Sequence, residues 1–362
     1  MKEETVLFIL LRAGLWKKEP DDLSLFPLSG ESWQRVFDLA KRQTVAGIAY
    51  NGLCRLPDEM MPTESLLMRW VAEIDGIEMR NRRMNAALAE LYTLFGRYGL
   101  NPVLLKGQGV ALFYGQPLLR ACGDIDLYFP SREAAEQAVE VIKKQVRTVS
   151  RKADGSLHYR WRGMEVEHHP CLLDMGNPSV RSYLNAKEQE WGYEKALLSP
   201  GSRVEITVPS PQLNLLLLNT HIMKHAMGWG IGLRQLCDMA RACHCLHSRV
   251  DADDMQTLCR RVGIGKWSRL LHAFLTDYLG LAPALLPYPT EGLSPRPLYE
   301  VVMKSGNFGC SIRGGESGRQ PVWRRKMDTS LSFLRNLRFS GTYMPKEAFW
   351  CYAQLLTGQF RG

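Results

Sequence analysis

The stretch Arg120-Ala121-Cys122-Gly123-Asp124-Ile125-Asp126-Leu127-Tyr128-Phe129 decides how the rest of the chain is read. β-Forming residues run on from Ile125 and Pro130-Ser131 stops them, so the sequence predicts a strand over Asp124–Phe129. A strand repeats every two residues, which sets Asp124 and Asp126 on one face with an apolar side chain between them. Neighbouring carboxylates repel, and a fold keeps them where a cation sits between them or where the pair faces water. Paired carboxylates with substrate phosphates are a usual way of holding Mg²⁺. Asp-x-Asp also occurs at solvated strand ends, so the pair needs company.

Two neighbouring stretches supply it. Val103-Leu104-Leu105 is a short apolar strand that runs into Lys106-Gly107 and then a helical run, Val110-Ala111-Leu112-Phe113-Tyr114. A strand, glycine turn and helix leave backbone N–H groups pointing at one spot, where phosphate binds well. Farther on, Met164-Glu165-Val166-Glu167-His168-His169 reads as another strand, and Glu167 or Glu165 offers a third carboxylate.

These blocks, in this order, resemble the nucleotidyltransferase superfamily of the DNA polymerase β type, and more narrowly the bacterial uncharacterised nucleotidyltransferase family. The resemblance rests on Leu105-Lys106-Gly107, Arg120-x-x-Gly123-Asp124-Ile125-Asp126-Leu127 and the Glu165-Val166-Glu167-His168 strand, within roughly Leu39 to Leu281. The wider superfamily has Gly-Ser at the turn, where this chain has Lys106-Gly107. The resemblance implies that Asp124, Asp126 and Glu167 hold two Mg²⁺ ions and do the catalysis, with Glu165 the alternative third acid. It implies an NTP substrate near Lys106, Gly107 and Gly123. Arg120 would clamp the triphosphate, pair with Asp124, or make a structural ion pair. His221, His225, Arg234 and Asp238 would line the cleft from a helical domain or tie two helices together. His168, on the opposite strand face, is expected in the core.

Composition agrees with a globular chain. Of 362 residues, 45% are hydrophobic and 23% charged, and no apolar run approaches the roughly 18 residues of a membrane span. Thr5–Leu11 is too short and follows two acidic residues, so it is not read as a signal peptide. Nine cysteines without framework spacing suit reduced thiols, and a cytoplasmic location is expected. Cys243-His244-Cys245-x-His247 has no second pair at zinc-finger spacing and is read as part of a helix. The net charge of +9 fits a polyanionic partner and fits plain solubility equally. Part of the excess is late: Arg313, Arg319, Arg324, Arg325, Lys326, Arg335 and Arg338.

The expected fold class is α+β: a small mixed β-sheet core with helices on one face, flanked by N-terminal helices and a C-terminal helical domain. Boundaries are expected at 1–98, 99–208, 209–292 and a basic extension 293–362. A long helix is predicted over Glu64–Tyr98, its polar middle Arg80-Asn81-Arg82-Arg83 read as a solvated face. Asp154-Gly155 marks a hairpin, and Gly306–Gln320 reads as a loop. His221-x₃-His225 lacks the glutamate of a zinc-protease helix, since Ile222 follows His221. Three functions compete: transfer of a nucleotide to a small hydroxyl- or amine-bearing acceptor, transfer to a protein side chain or RNA end in a toxin–antitoxin or defence setting, and a non-catalytic binding module that kept the fold.

Overall fold

The computed structural model describes residues 2–359 apart from Ala153, Pro200, Glu291, residues 306–330 and Ser332. Three helices open the chain: α1 (Lys2–Trp16), α2 (Gly30–Arg42) and α3 (Ala46–Leu53). Ser29 caps α2, its hydroxyl accepting from the Ser32 amide. α1 and α3 cross closely enough that a Cβ on Gly52 would come 1.9 Å from the Leu10 carbonyl oxygen. The long helix α4 (Glu64–Gly96) follows.

Seven strands form one mixed sheet: β1 (Val103–Leu105), β2 (Ile125–Tyr128), β3 (Val149–Arg151), β4 (Leu157–Trp161), β5 (Met164–His169), β6 (Tyr193–Leu197) and β7 (Glu205–Pro209), in spatial order β3-β4-β5-β2-β1-β7-β6. β2 runs parallel to β5 and antiparallel to β1. Between strands lie α5 (Gly107–Ala111), α6 (Arg132–Lys143) and α7 (Pro178–Trp191), and after them α8 (Pro211–Lys224), α9 (Leu233–Leu246), α10 (Ala252–Val262), α11 (Gly265–Asp277) and α12 (Arg296–Ser305). Helices Leu337–Tyr343 and Pro345–Gln359 close the described chain.

The α+β class stands, with three corrections. Apolar side chains cover both faces of the sheet, not one. Leu104, Ile125 and Leu127 pack with Leu88, Leu91 and Phe95 of α4 and Val141 and Ile142 of α6, while Val103, Leu105 and Tyr128 join the core that contains Leu213 and Leu217 of α8. Alternation along a central strand buries both of its faces. Second, α7, β6 and β7 were not foreseen, although Glu205-Ile206-Thr207-Val208 carries strand-forming residues. Third, the strand is Ile125–Tyr128, so Asp124 stands just ahead of it, next to a loop whose Cys122 and Gly123 carbonyls accept from Arg80 of α4.

The opening and late helices share one core. Val6–Leu11, Trp33 and Phe37 belong to the same cluster as Leu236, Trp267, Phe274 and Leu298. Polar bonds reinforce it: Trp16 Nε1 donates to Leu279 O at 2.6 Å, and the buried Gln43 accepts from the Leu233 amide at 2.9 Å. The 306–320 loop and most of the late basic cluster lie outside the described residues; Arg335 and Arg338 are exposed.

Candidate active site

The site grows from strand register. Asp126 on β2 lies opposite Glu167 on β5 and opposite Leu105 on β1, so the residue after Leu105 turns directly over it. That residue is Lys106. Its backbone adopts φ 44° and Gly107 follows at φ 42°, a left-handed pair unusual for lysine. The sharp turn returns the Lys106 ammonium to 3.4 Å from Asp126 Oδ1. The positive φ favours glycine at 107, and a Cβ there would sit tightly against the Asp124 carbonyl oxygen at 3.3 Å.

On β5, Glu167 and His169 face the same way, while His168 points into the opposite core and shares a hydrogen bond with Tyr159 Oη at 2.9 Å. His169 Nε2 meets Asp126 Oδ1 at 2.7 Å, and its Nδ1 stands 3.5 Å from Glu167 Oε1. Glu165 belongs elsewhere: it is exposed and pairs with Arg160 at 2.6 Å. The third carboxylate beside Asp126 is therefore Glu167. His169 was missed in the sequence, although the period of two from Glu167 already set it on this face.

Helices α8 and α9 roof these residues. The cavity between sheet and roof, about 420 Å³, is lined by Lys106, Gly107, Arg120, Gly123, Asp124, Asp126, Glu167, His221, His225, Arg234 and Asp238, but not by Glu165 or His168. Their contacts differ. Arg120 makes a buried two-point pair with Asp238, at 2.5 and 3.0 Å, and Tyr114 adds a hydroxyl donor at 2.8 Å. Its partner is thus Asp238 and not Asp124. Arg234 donates to Ala121 O at 2.9 Å, fixing the same loop from the same helix. His221 and His225 stack edge-on with ring centres 4.5 Å apart, and His225 Nδ1 lies 3.0 Å from Gly230 O. His225 opens a π-helical turn, His225–Trp229, that ends α8.

The loop before Asp124 is held from behind as well. Asn81 donates to Leu118 O at 2.6 Å and Arg120 O at 2.9 Å, and Arg80 to Gly123 O at 2.6 Å. This corrects the reading of the polar middle of α4 as a solvated face; Arg82 and Arg83 are exposed, but Arg80 and Asn81 support the site. From α3, Gly47 packs so tightly that a Cβ there would lie 2.1 Å from Leu119 O.

Electrostatics separate the two aspartates. Burial alone would raise the Asp126 carboxyl, but Lys106 and His169 outweigh it and hold it below the usual carboxylate range. The Asp126 charge, then burial, pushes Asp124 up to about 6. Asp126 is the one that Lys106 and His169 touch, which sets the direction for each. Burial, then Lys106, pulls His225 down to about 4 and His221 well below the usual histidine range, so the roof histidines are neutral at pH 7.

The arrangement defines an α+β protein with an acidic cavity between a mixed sheet and a helical roof. The chain belongs to the family described as uncharacterised nucleotidyltransferase, which matches residues 29–280. No curated protein and no solved structure matches the chain. No helix among the described residues is long and apolar enough to cross a membrane.

Proposed function

We propose that this cavity transfers a nucleoside monophosphate from an NTP to an acceptor hydroxyl or amine. The acceptor oxygen or nitrogen bonds to the α-phosphorus, the bond to the β-phosphate oxygen breaks, and pyrophosphate leaves. The observation that carries the reading is the register that seats Asp126 beside Glu167 with Lys106 turned back over Asp126.

The residues fit divalent cations, because Asp124 is pushed up by its neighbour's charge, a repulsion that a bound cation relieves. Two Mg²⁺ ions held by Asp124, Asp126 and Glu167 would supply positive charge to the attacking and leaving oxygens. Lys106 would move from Asp126 to the β- or γ-phosphate as a compact point charge, and Gly107 would let the phosphates approach its backbone. Glu167 would take the proton of the acceptor group. Arg120, committed to Asp238, would shape the wall without reaching the triphosphate. The neutral imidazoles of His221 and His225 would offer hydrogen bonds to an uncharged part of the nucleotide or acceptor.

Calorimetric titration of ATP, GTP, CTP and UTP with Mg²⁺ and with EDTA, beside Asp124→Ala/Asp126→Ala, tests the reading. Mg²⁺-dependent binding lost in the double variant supports it and opens an acceptor screen with labelled NTP. Well-folded wild-type protein that binds no NTP sinks it.

A further inference from the structure

Among the described residues, the group of three side-chain donors placed to share one ion is not built on the two aspartates. One ligand atom each from Asp126, Glu167 and His169 lies within 4.8 Å of the others, and Asp124 is not part of that group. Adjacent donors around an octahedral ion with bonds near 2.1 Å stand about 3 Å apart. The His169 Nε2 to Asp126 Oδ1 spacing is 2.7 Å, close to that value, while the other ring nitrogen, Nδ1, stands 3.5 Å from Glu167 Oε1. An imidazole gives one ion a single nitrogen, and because one ligand atom of each residue already lies within 4.8 Å of the others, side-chain rotations bring all three onto one ion. Two of the donors sit on one strand at i and i+2 and the third opposite on its parallel neighbour, so the sheet itself fixes their separation. His168, by contrast, is turned into the core.

We infer that His169 is a metal ligand, completing with Asp126 and Glu167 a site of two carboxylates and one imidazole that prefers a transition-metal ion such as Mn²⁺ over Mg²⁺. The inference rests on the cavity holding a divalent cation at all. Mg²⁺ takes hard oxygen donors, whereas imidazole suits the first-row transition metals, most of all Zn²⁺, Fe²⁺, Ni²⁺ and Cu²⁺; Mn²⁺ shares the carboxylate preference of Mg²⁺ and, as a transition-metal ion, also takes an imidazole.

The test uses the full chain without nucleotide, with Mn²⁺ and Mg²⁺ titrated separately by calorimetry and the Mn²⁺ complex read by electron spin-echo spectroscopy. The expected result is imidazole ¹⁴N modulation in the wild type that is absent from His169→Ala, with Mn²⁺ affinity lowered at least about tenfold and Mg²⁺ affinity changed less. His169→Gln serves in its place should the alanine variant unfold. Bound Mn²⁺ without nitrogen coupling, or coupling that survives in the variant, overturns the inference and leaves His169 as a partner that only orients Asp126. Failure of the wild type to bind either ion, with or without NTP, instead overturns the metal-dependent function on which the inference stands.

Discussion

The guanidinium of Arg120 and the carboxylate of Asp238 meet at two points, 2.5 and 3.0 Å, with both side chains buried. Arg120 stands in the loop that leads to Asp124, and Asp238 on the roof helix α9, so this contact locks the roof to the floor of the cavity. Removing one partner of a buried pair strands the other charge. Asp238→Ala should therefore cost about 3–5 kcal/mol, read as a lower urea midpoint at an unchanged m-value. Tyr114 loses its acceptor in the same step. A cost under 1 kcal/mol would mean that water reaches Arg120.

The raised Asp124 carboxyl predicts a pH signature. In the unfolded chain Asp124 loses its proton near pH 3.8, whereas in the folded protein it keeps it until about 6. Between those values the folded state binds more protons, so this group's contribution to stability is lost as pH rises. In EDTA, Asp124→Asn should gain on the wild type across that window and hold the gain above it. Thermal midpoints of both proteins at pH 4, 5, 6 and 7 measure the difference. A gap that does not widen with pH would remove Asp126 as the cause.

Buried histidines set the opposite slope. Burial pulls His272 and His225 down to about 4 and His168 to about 3, so all three stay neutral in the folded protein while the unfolded chain takes up protons near pH 6.5. Stability is present above that pH and is lost as pH falls from about 6.5 toward 4. Wild-type urea midpoints at pH 7 and 4.5 should differ accordingly, and His272→Gln should show a shallower acid loss. His272 is fully inside the helical core, with Nδ1 3.2 Å from Tyr288 O, so its effect is separable from the cavity.

Arg80 offers a test of support from behind. It is exposed, and among the described residues it meets the site through the carbonyls of Cys122 and Gly123, just ahead of Asp124. Arg80→Ala should lower kcat of the proposed transfer about tenfold to hundredfold through misplacement of the carboxylate, with stability lowered by about 1 kcal/mol for the lost hydrogen bonds. The assay is single-turnover release of pyrophosphate beside a denaturation curve. Equal loss of stability and rate would assign Arg80 a purely structural role.

The sequence by itself determined the local pieces of this protein. The two-residue period set Glu167 and His169 on one face of β5 and His168 on the other, and the Lys106-Gly107 and Asp124-Ile125-Asp126 blocks pointed to the family. Such features depend on neighbours in the chain, where propensity and alternation act directly. Only the tertiary structure decided which strands are partners, which acid stands beside Asp126, and what Arg120 is for. Glu165 and Glu167 have the same residue type and face; the parallel register of β5 on β2 opposes Glu167 to Asp126, and Arg160 claims Glu165. Arg120 found Asp238 rather than Asp124 because α9 packs over the loop, and Arg80 and Asn81 became site residues because α4 lies behind it. Each of these outcomes is set by the joint burial of many apolar side chains distant in sequence, a sum over the whole core to which no single stretch holds the terms.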